Sequence, residues 1–131
     1  MGQTKVVDGL KYTRSDEWIK VEGDEAVVGV TDYAQSALSD IVFVELPDLG
    51  ATFKANDTFG TVESVKAASD MHTPASGTIT AVNKLLETKP ETVNSDPYGA
   101  GWFVKLKLSA PAELDALLDA AAYAKYCDER E

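Results

Sequence analysis

Cysteine, histidine and positive charge are all scarce in this chain, and each scarcity removes a class of function. Cys127 is the only cysteine, so no intramolecular disulfide forms, and the count fits a reducing compartment. It stands near the end of a helical stretch with no histidine close in sequence, and reads as a packing thiol rather than a nucleophile. His72 is the only histidine, which excludes a multi-histidine metal site, and it reads as a solvent-facing hairpin residue. Lys and Arg number 12 against 22 Asp and Glu, a net charge of −10. Nucleic acid is therefore an unsuitable partner, and an anionic membrane would repel the chain. No apolar run approaches the length needed to cross a bilayer, and no signal-peptide pattern is expected ahead of Gly9. A Gly-rich phosphate loop and a His/Cys cluster with metal spacing are missing too. A nucleotide enzyme, a metalloenzyme and an autonomous catalyst all lose support.

What is present fits one domain over residues 1–131, with 44% apolar residues to build its core. Residues 1–9 read as a loosely docked lead-in. Trp18 to Glu22 alternates, Gly23-Asp24 suits a tight turn, and Ala26 to Val30 returns. Thr31 offers a hydroxyl cap to a short helix, Asp32 to Leu38. Ile41 to Leu46 is the most apolar strand, and a short one follows around Thr52 to Lys54. A helical turn is expected at Leu85 to Thr88, a long connection to Gly101, and a last strand over Trp102 to Leu108. Leu114, Leu117, Leu118 and Ala121 recur at helical spacing, so a C-terminal helix is expected at about 111–128. Many short strands separated by turns predict a mainly β, antiparallel sandwich or barrel with helices at its edges.

Lys66 stands out within this pattern. It closes the alternating strand Thr58 to Val65, at the tip of a hairpin expected over about 58–83, where Pro74 to Gly77 should bend the returning arm. Ala67, Ala68 and Ser69 are small, so a large enzyme can reach the ε-amine. Glu63 lies three residues earlier and Asp70 four later. Exposed ion pairs contribute less than about 1 kcal/mol, so recognition by another protein explains these carboxylates better than stability does. Gly77, in the expected opposing arm, permits a close approach. These features point to a group carried on the lysine; an unmodified adaptor binding through its acidic face is the alternative of a different class.

The run Glu63-Ser64-Val65-Lys66-Ala67-Ala68-Ser69-Asp70 resembles the lipoylation motif of the glycine cleavage system H proteins. So do Gly9-Leu10-Lys11-Tyr12, Glu17-Trp18, Gly29 to Gln35, Asp40 to Pro47, Val93 to Gly99 and Gly101-Trp102, in order along nearly the whole chain. Two positions depart from the family pattern: Asp16 replaces a histidine that commonly precedes Glu17-Trp18, and His72 follows Asp70 where the family usually has none.

The resemblance implies a small barrel-sandwich hybrid of the lipoyl/biotinyl-carrier type. It implies lipoic acid in amide linkage to Lys66, with Glu63 and Gly77 recognised by the lipoate-attaching enzyme. The function implied is a swinging-arm shuttle in glycine catabolism and one-carbon metabolism, with no catalysis of its own. The aminomethyl group passes from a pyridoxal-phosphate glycine decarboxylase to an aminomethyltransferase, and the dithiol to dihydrolipoamide dehydrogenase. Ser15, Glu17 and Asp70 would line a cleft sheltering the arm, with Glu17 pairing the cargo's ammonium or merely flanking Trp18. A monomer is expected, cytoplasmic in a bacterium or in the mitochondrial matrix as a processed form. A relay of lipoyl groups to other proteins is the nearest alternative. A biotinyl domain fits less well, since methionines usually flank its lysine and here Val65 and Ala67 do.

Overall fold

A computed structural model describes residues 5–130. Its strands are β1 (Lys11–Tyr12), β2 (Glu17–Glu22), β3 (Glu25–Val30), β4 (Ile41–Glu45), β5 (Thr52–Phe53), β6 (Thr58–Ser64), β7 (Ala68–His72), β8 (Gly77–Val82) and β9 (Val104–Leu108). They form two antiparallel sheets, one of six strands ordered β1-β2-β3-β9-β8-β5 and one of three ordered β4-β6-β7. The expected mainly β carrier architecture is what the chain adopts, with the sheets not closed into a barrel.

Local chemistry sets most boundaries. Glu22 pairs with Glu25, so Gly23-Asp24 is a two-residue turn, and Gly23 adopts φ +70°, where a side chain would be strained. The hydroxyl of Thr31 accepts the N–H of Ala34 at 3.3 Å and starts α1 (Asp32–Leu38). Two one-turn helices, α2 (Leu85–Thr88) and α3 (Thr92–Ser95), break the connection before β9. The second had no counterpart in the sequence reading. Val28, Val30, Val44, Val62, Ile79, Phe103, Val104 and Leu106 are buried in the main core.

Two expectations need correction. The hairpin that carries Lys66 ends at His72, not near 83: β7 pairs only with β6, and the chain leaves that sheet through Thr73–Ser76 to enter β8 of the six-stranded one. Pro74, without an N–H, cannot continue the ladder. The continuous helix at 111–128 is two pieces, a 3-10 helix at Pro111–Ala116 and α4 at Ala120–Glu129. Leu117 is extended, and Leu118 exchanges two backbone hydrogen bonds with Tyr12, at 2.7 and 2.9 Å. The Asp119 carboxylate then accepts the N–H of Ala122 at 2.8 Å and starts the helix anew. The buried stripe of α4 is accordingly Ala120, Tyr123 and Cys127, while Ala121 is exposed.

This helix covers a second, aromatic cluster. Tyr123 stacks on Tyr12 with centroids 4.6 Å apart, and Trp18 and Tyr98 pack beside them. The lead-in is docked where it is described: Val7 exchanges hydrogen bonds with the Tyr12 hydroxyl, and Tyr98 donates to the Lys5 carbonyl at 2.7 Å. Residues 1–4 lie outside the described residues.

Candidate functional site

Lys66 occupies the apex between β6 and β7, and its backbone is pinned while its side chain is exposed. The Ser64 N–H donates to the Ala67 carbonyl at 2.7 Å. The Ser64 hydroxyl accepts the N–H of Lys66 at 3.2 Å and of Ala67 at 3.1 Å. Val65 donates its N–H to the Asp40 carbonyl at 3.0 Å, which ties the apex to the start of β4. Among the described residues the ammonium of Lys66 enters no ion pair. A rigid turn thus projects an unclaimed amine between the exposed residues Val65 and Ala67. Amide attachment of a long acid fits here, since the amine is exposed and acylation breaks no ion pair among the described residues.

The face around the apex is acidic and apolar together. Phe43 lies opposite Glu63, which lies opposite Ala68, and Thr61 lies opposite Asp70. The register of β4 shifts between Ile41 and Phe43, and Val42 and Phe43 are both about half exposed. Glu63 and Asp70 are both exposed.

Glu17 is placed differently from the lining of an open cleft. It is fully buried, and both of its oxygens are taken. Oε1 accepts the hydroxyls of Thr13 at 2.7 Å and Ser15 at 2.5 Å, while Oε2 accepts the backbone N–H of His72 at 3.1 Å. Burial raises its carboxyl above the ordinary glutamate range, against the lowering effect of those bonds. Ser15 and Glu17 are thus brought together, with Ser15 exposed as the outer cover. Asp70 stands two residues before His72 on the exposed strand and shares no hydrogen bond with that pair among the described residues.

His72 is not a freely solvated hairpin residue. Its side chain is 38% exposed, and its Nδ1 is buried 3.8 Å from Glu17 Oε2 without a hydrogen bond. Asp16, at the other departure, accepts the Tyr123 hydroxyl at 2.8 Å and pairs with Arg130.

Gly77 is not in the arm opposing Lys66. It begins β8, between Phe53 and Leu108, and a Cβ there would run into the Lys107 carbonyl and come within 2.5 Å of Leu106 Cδ1. The close approach expected of this glycine is real, but its partner is β9. A groove of about 400 Å³, lined in part by Asn56, Pro74 and Glu113, lies at the other end of the Lys66 hairpin. Along the strands that is roughly 20 Å from the apex.

The model of the family described as "Glycine cleavage H-protein" matches residues 10–130. The chain belongs to this family. The glycine cleavage system H protein of Symbiobacterium thermophilum is 57% identical over 120 residues, covering 92% of this chain and 94% of that one. The mitochondrial glycine cleavage system H protein of Oryza sativa subsp. indica is 52% identical, covering 96% of this chain and 77% of its own. The crystal structure of a glycine cleavage system H protein from Mycobacterium marinum superposes with a TM-score of 0.84 at 38% identity, over 95% of this chain and 98% of that one. Family members serve as the non-catalytic carrier of the glycine cleavage system and generally hold lipoate, the class expected from the sequence. The relatives include bacterial and mitochondrial proteins, and no described helix is long and apolar enough to cross a membrane.

Thr13, Ser64 and the His72 backbone escaped the sequence reading. The two hydroxyl residues left a signal: Ser64 two residues before Lys66, and Thr13 four before Glu17, are spacings at which a side chain reaches nearby backbone. The His72 amide left none, because its partner lies 55 residues away.

Proposed function

We propose that Lys66 carries lipoic acid in amide linkage and that the chain shuttles the aminomethyl group derived from glycine between the enzymes of the glycine cleavage system. The observation that carries this reading is the pinned apex with its unclaimed amine. The fixed backbone aims the tether, and the exposed stem lets it swing between docked enzymes at high local concentration. The dithiolane of the bound group would take up the one-carbon unit and the electrons, chemistry that the side chains of this protein do not supply.

The protein's own residues present, recognise and shelter. Glu63, exposed three residues before the lysine, is the charge read by the lipoate-attaching enzyme. Gly77 assists by seating β8, the strand that the chain enters on leaving the attachment hairpin, against β9. Ser15 and Glu17 form the acceptor side of the shelter: the carboxylate meets the cargo's ammonium after the Ser15 hydroxyl moves aside, with Asp70 at the exposed rim. The successive partners are the pyridoxal-phosphate glycine decarboxylase, the aminomethyltransferase and dihydrolipoamide dehydrogenase, approached by a monomer in a reducing compartment such as the bacterial cytoplasm or the mitochondrial matrix. The acidic surface favours partners with basic rims. Incubation with a lipoate-attaching enzyme, lipoate and ATP should acylate the wild type once and leave Lys66→Arg unmodified. Equal acylation of both would overturn the assignment of the lysine.

A further inference from the structure

The loop that covers Glu17 is itself held, and the grip comes from the far end of the chain. Thr13 and Ser15 donate to the buried carboxylate, so the position of residues 13–16 decides whether Glu17 is closed off. Asp16, the last of the four, adopts φ +76°, a conformation that L residues adopt reluctantly and aspartate better than most. Its N–H donates to the Thr13 carbonyl at 3.2 Å, and its carbonyl accepts the Thr31 N–H at 3.0 Å. Its carboxylate faces α4, where it accepts the Tyr123 hydroxyl and both terminal nitrogens of Arg130.

Arg130 is held in turn by two aromatic faces. Its guanidinium lies 3.8 Å from the ring centre of Tyr33 on α1 and 4.2 Å from that of Tyr126 on α4. Tyr126 adds a second tie by donating its hydroxyl to the Arg14 carbonyl at 3.1 Å. A planar fork that stacks and binds a carboxylate at once is a task for arginine, and lysine has no such geometry. Glu17 meets Thr13 and Ser15 from the loop and His72 from β7, and among the described residues it forms no hydrogen bond or ion pair with Arg130 or α4.

We infer that Arg130 is a positioning residue for the Glu17 niche: by gripping Asp16 from between Tyr33 and Tyr126, it holds the loop at residues 13–16 closed over the buried carboxylate. The purpose of the closure rests on the shelter reading given above, but its test does not, because every measurement uses unmodified protein. Failure of lipoate attachment at Lys66 would leave these measurements untouched.

The experiment compares wild type, Arg130→Ala, Arg130→Lys, Asp16→Asn, the double variant Asp16→Asn/Arg130→Ala, and Asp128→Ala. The last removes a charge from the exposed side of the same helix end. Two quantities are read by NMR: hydrogen exchange at the amides of Asp16 and Glu17, and titration of the Glu17 side-chain carboxyl. Loss of a charge-assisted bond to a half-buried carboxylate should speed exchange in Arg130→Ala by roughly tenfold or more. The Glu17 titration should fall toward the ordinary glutamate value as water enters, since burial is the larger influence on it. Asp16→Asn should show the same changes, the double variant should add nothing further, and Asp128→Ala should change neither quantity. Arg130→Lys, which keeps the charge without the fork, should fall between wild type and alanine, and it decides the matter if Arg130→Ala loses α4 by circular dichroism. Wild-type exchange and titration in a folded Arg130→Ala or Arg130→Lys would overturn the proposal, as would equal changes in Asp128→Ala.

Discussion

The carboxylate of Glu17 accepts the backbone N–H of His72 at 3.1 Å, so β2 of the six-stranded sheet is tied to β7, the strand that returns from Lys66 in the other. One buried acid thereby joins the two sheets. It also sits in an environment that disfavours its charge, and that has a measurable consequence.

Burial raises the Glu17 carboxyl in the folded protein above its value in the unfolded chain. Between those two values the folded state binds a proton that the unfolded state has lost, so this residue makes stability fall as pH rises through the window. Below the window it contributes no pH dependence, and above it the cost is complete. Urea unfolding of Glu17→Gln beside wild type should show the wild type losing ground to the variant as pH rises across that range. A difference that stays constant with pH would refute the buried-carboxylate assignment.

Gly77→Ala should destabilise the protein by roughly 1–3 kcal/mol, the usual cost of forcing an extra carbon into a close-packed site. The added carbon meets the Lys107 carbonyl, which belongs to a central strand with little freedom to yield. Chemical denaturation measures the change. An unaltered midpoint would mean that β8 and β9 are further apart than they stand here.

Glu63→Ala should separate recognition from folding. The side chain is exposed and enters no ion pair among the described residues, so stability should stay within about 0.5 kcal/mol of wild type. The initial rate of lipoate attachment should drop by roughly tenfold, the scale of one interfacial charge. An undiminished rate in the folded variant would remove Glu63 from the recognition surface.

The sequence was most legible where the governing contact is short-range. The Gly23-Asp24 turn and the Thr31 cap each depend on residues within a few positions, and each is found where expected. β6 is a strand, but its alternation is broken by a register shift between Thr58 and Gly60, so that Phe59 and Val62 are both buried. Lys66 at an exposed apex was legible for the same reason. Contacts between distant segments were not. Gly77 reads as part of the Lys66 hairpin until pairing with Phe53 and Leu108 assigns it to the other sheet. The stripe at Leu114, Leu117 and Leu118 is a good helix pattern, yet Leu118 pairs with Tyr12 at the opposite end of the chain and Asp119 opens a new helix. The closure over Glu17 joins residues 13, 15, 17 and 72, and only folding puts them together.

Attachment at the ε-amine of Lys66 is tested most directly by mass spectrometry of peptides from protein made in lipoate-replete cells. The spectrum should place a single lipoyl group on the peptide containing Lys66, and Lys66→Arg made in the same cells should carry none. A lipoyl group found on any other lysine, or retained by Lys66→Arg, would contradict it.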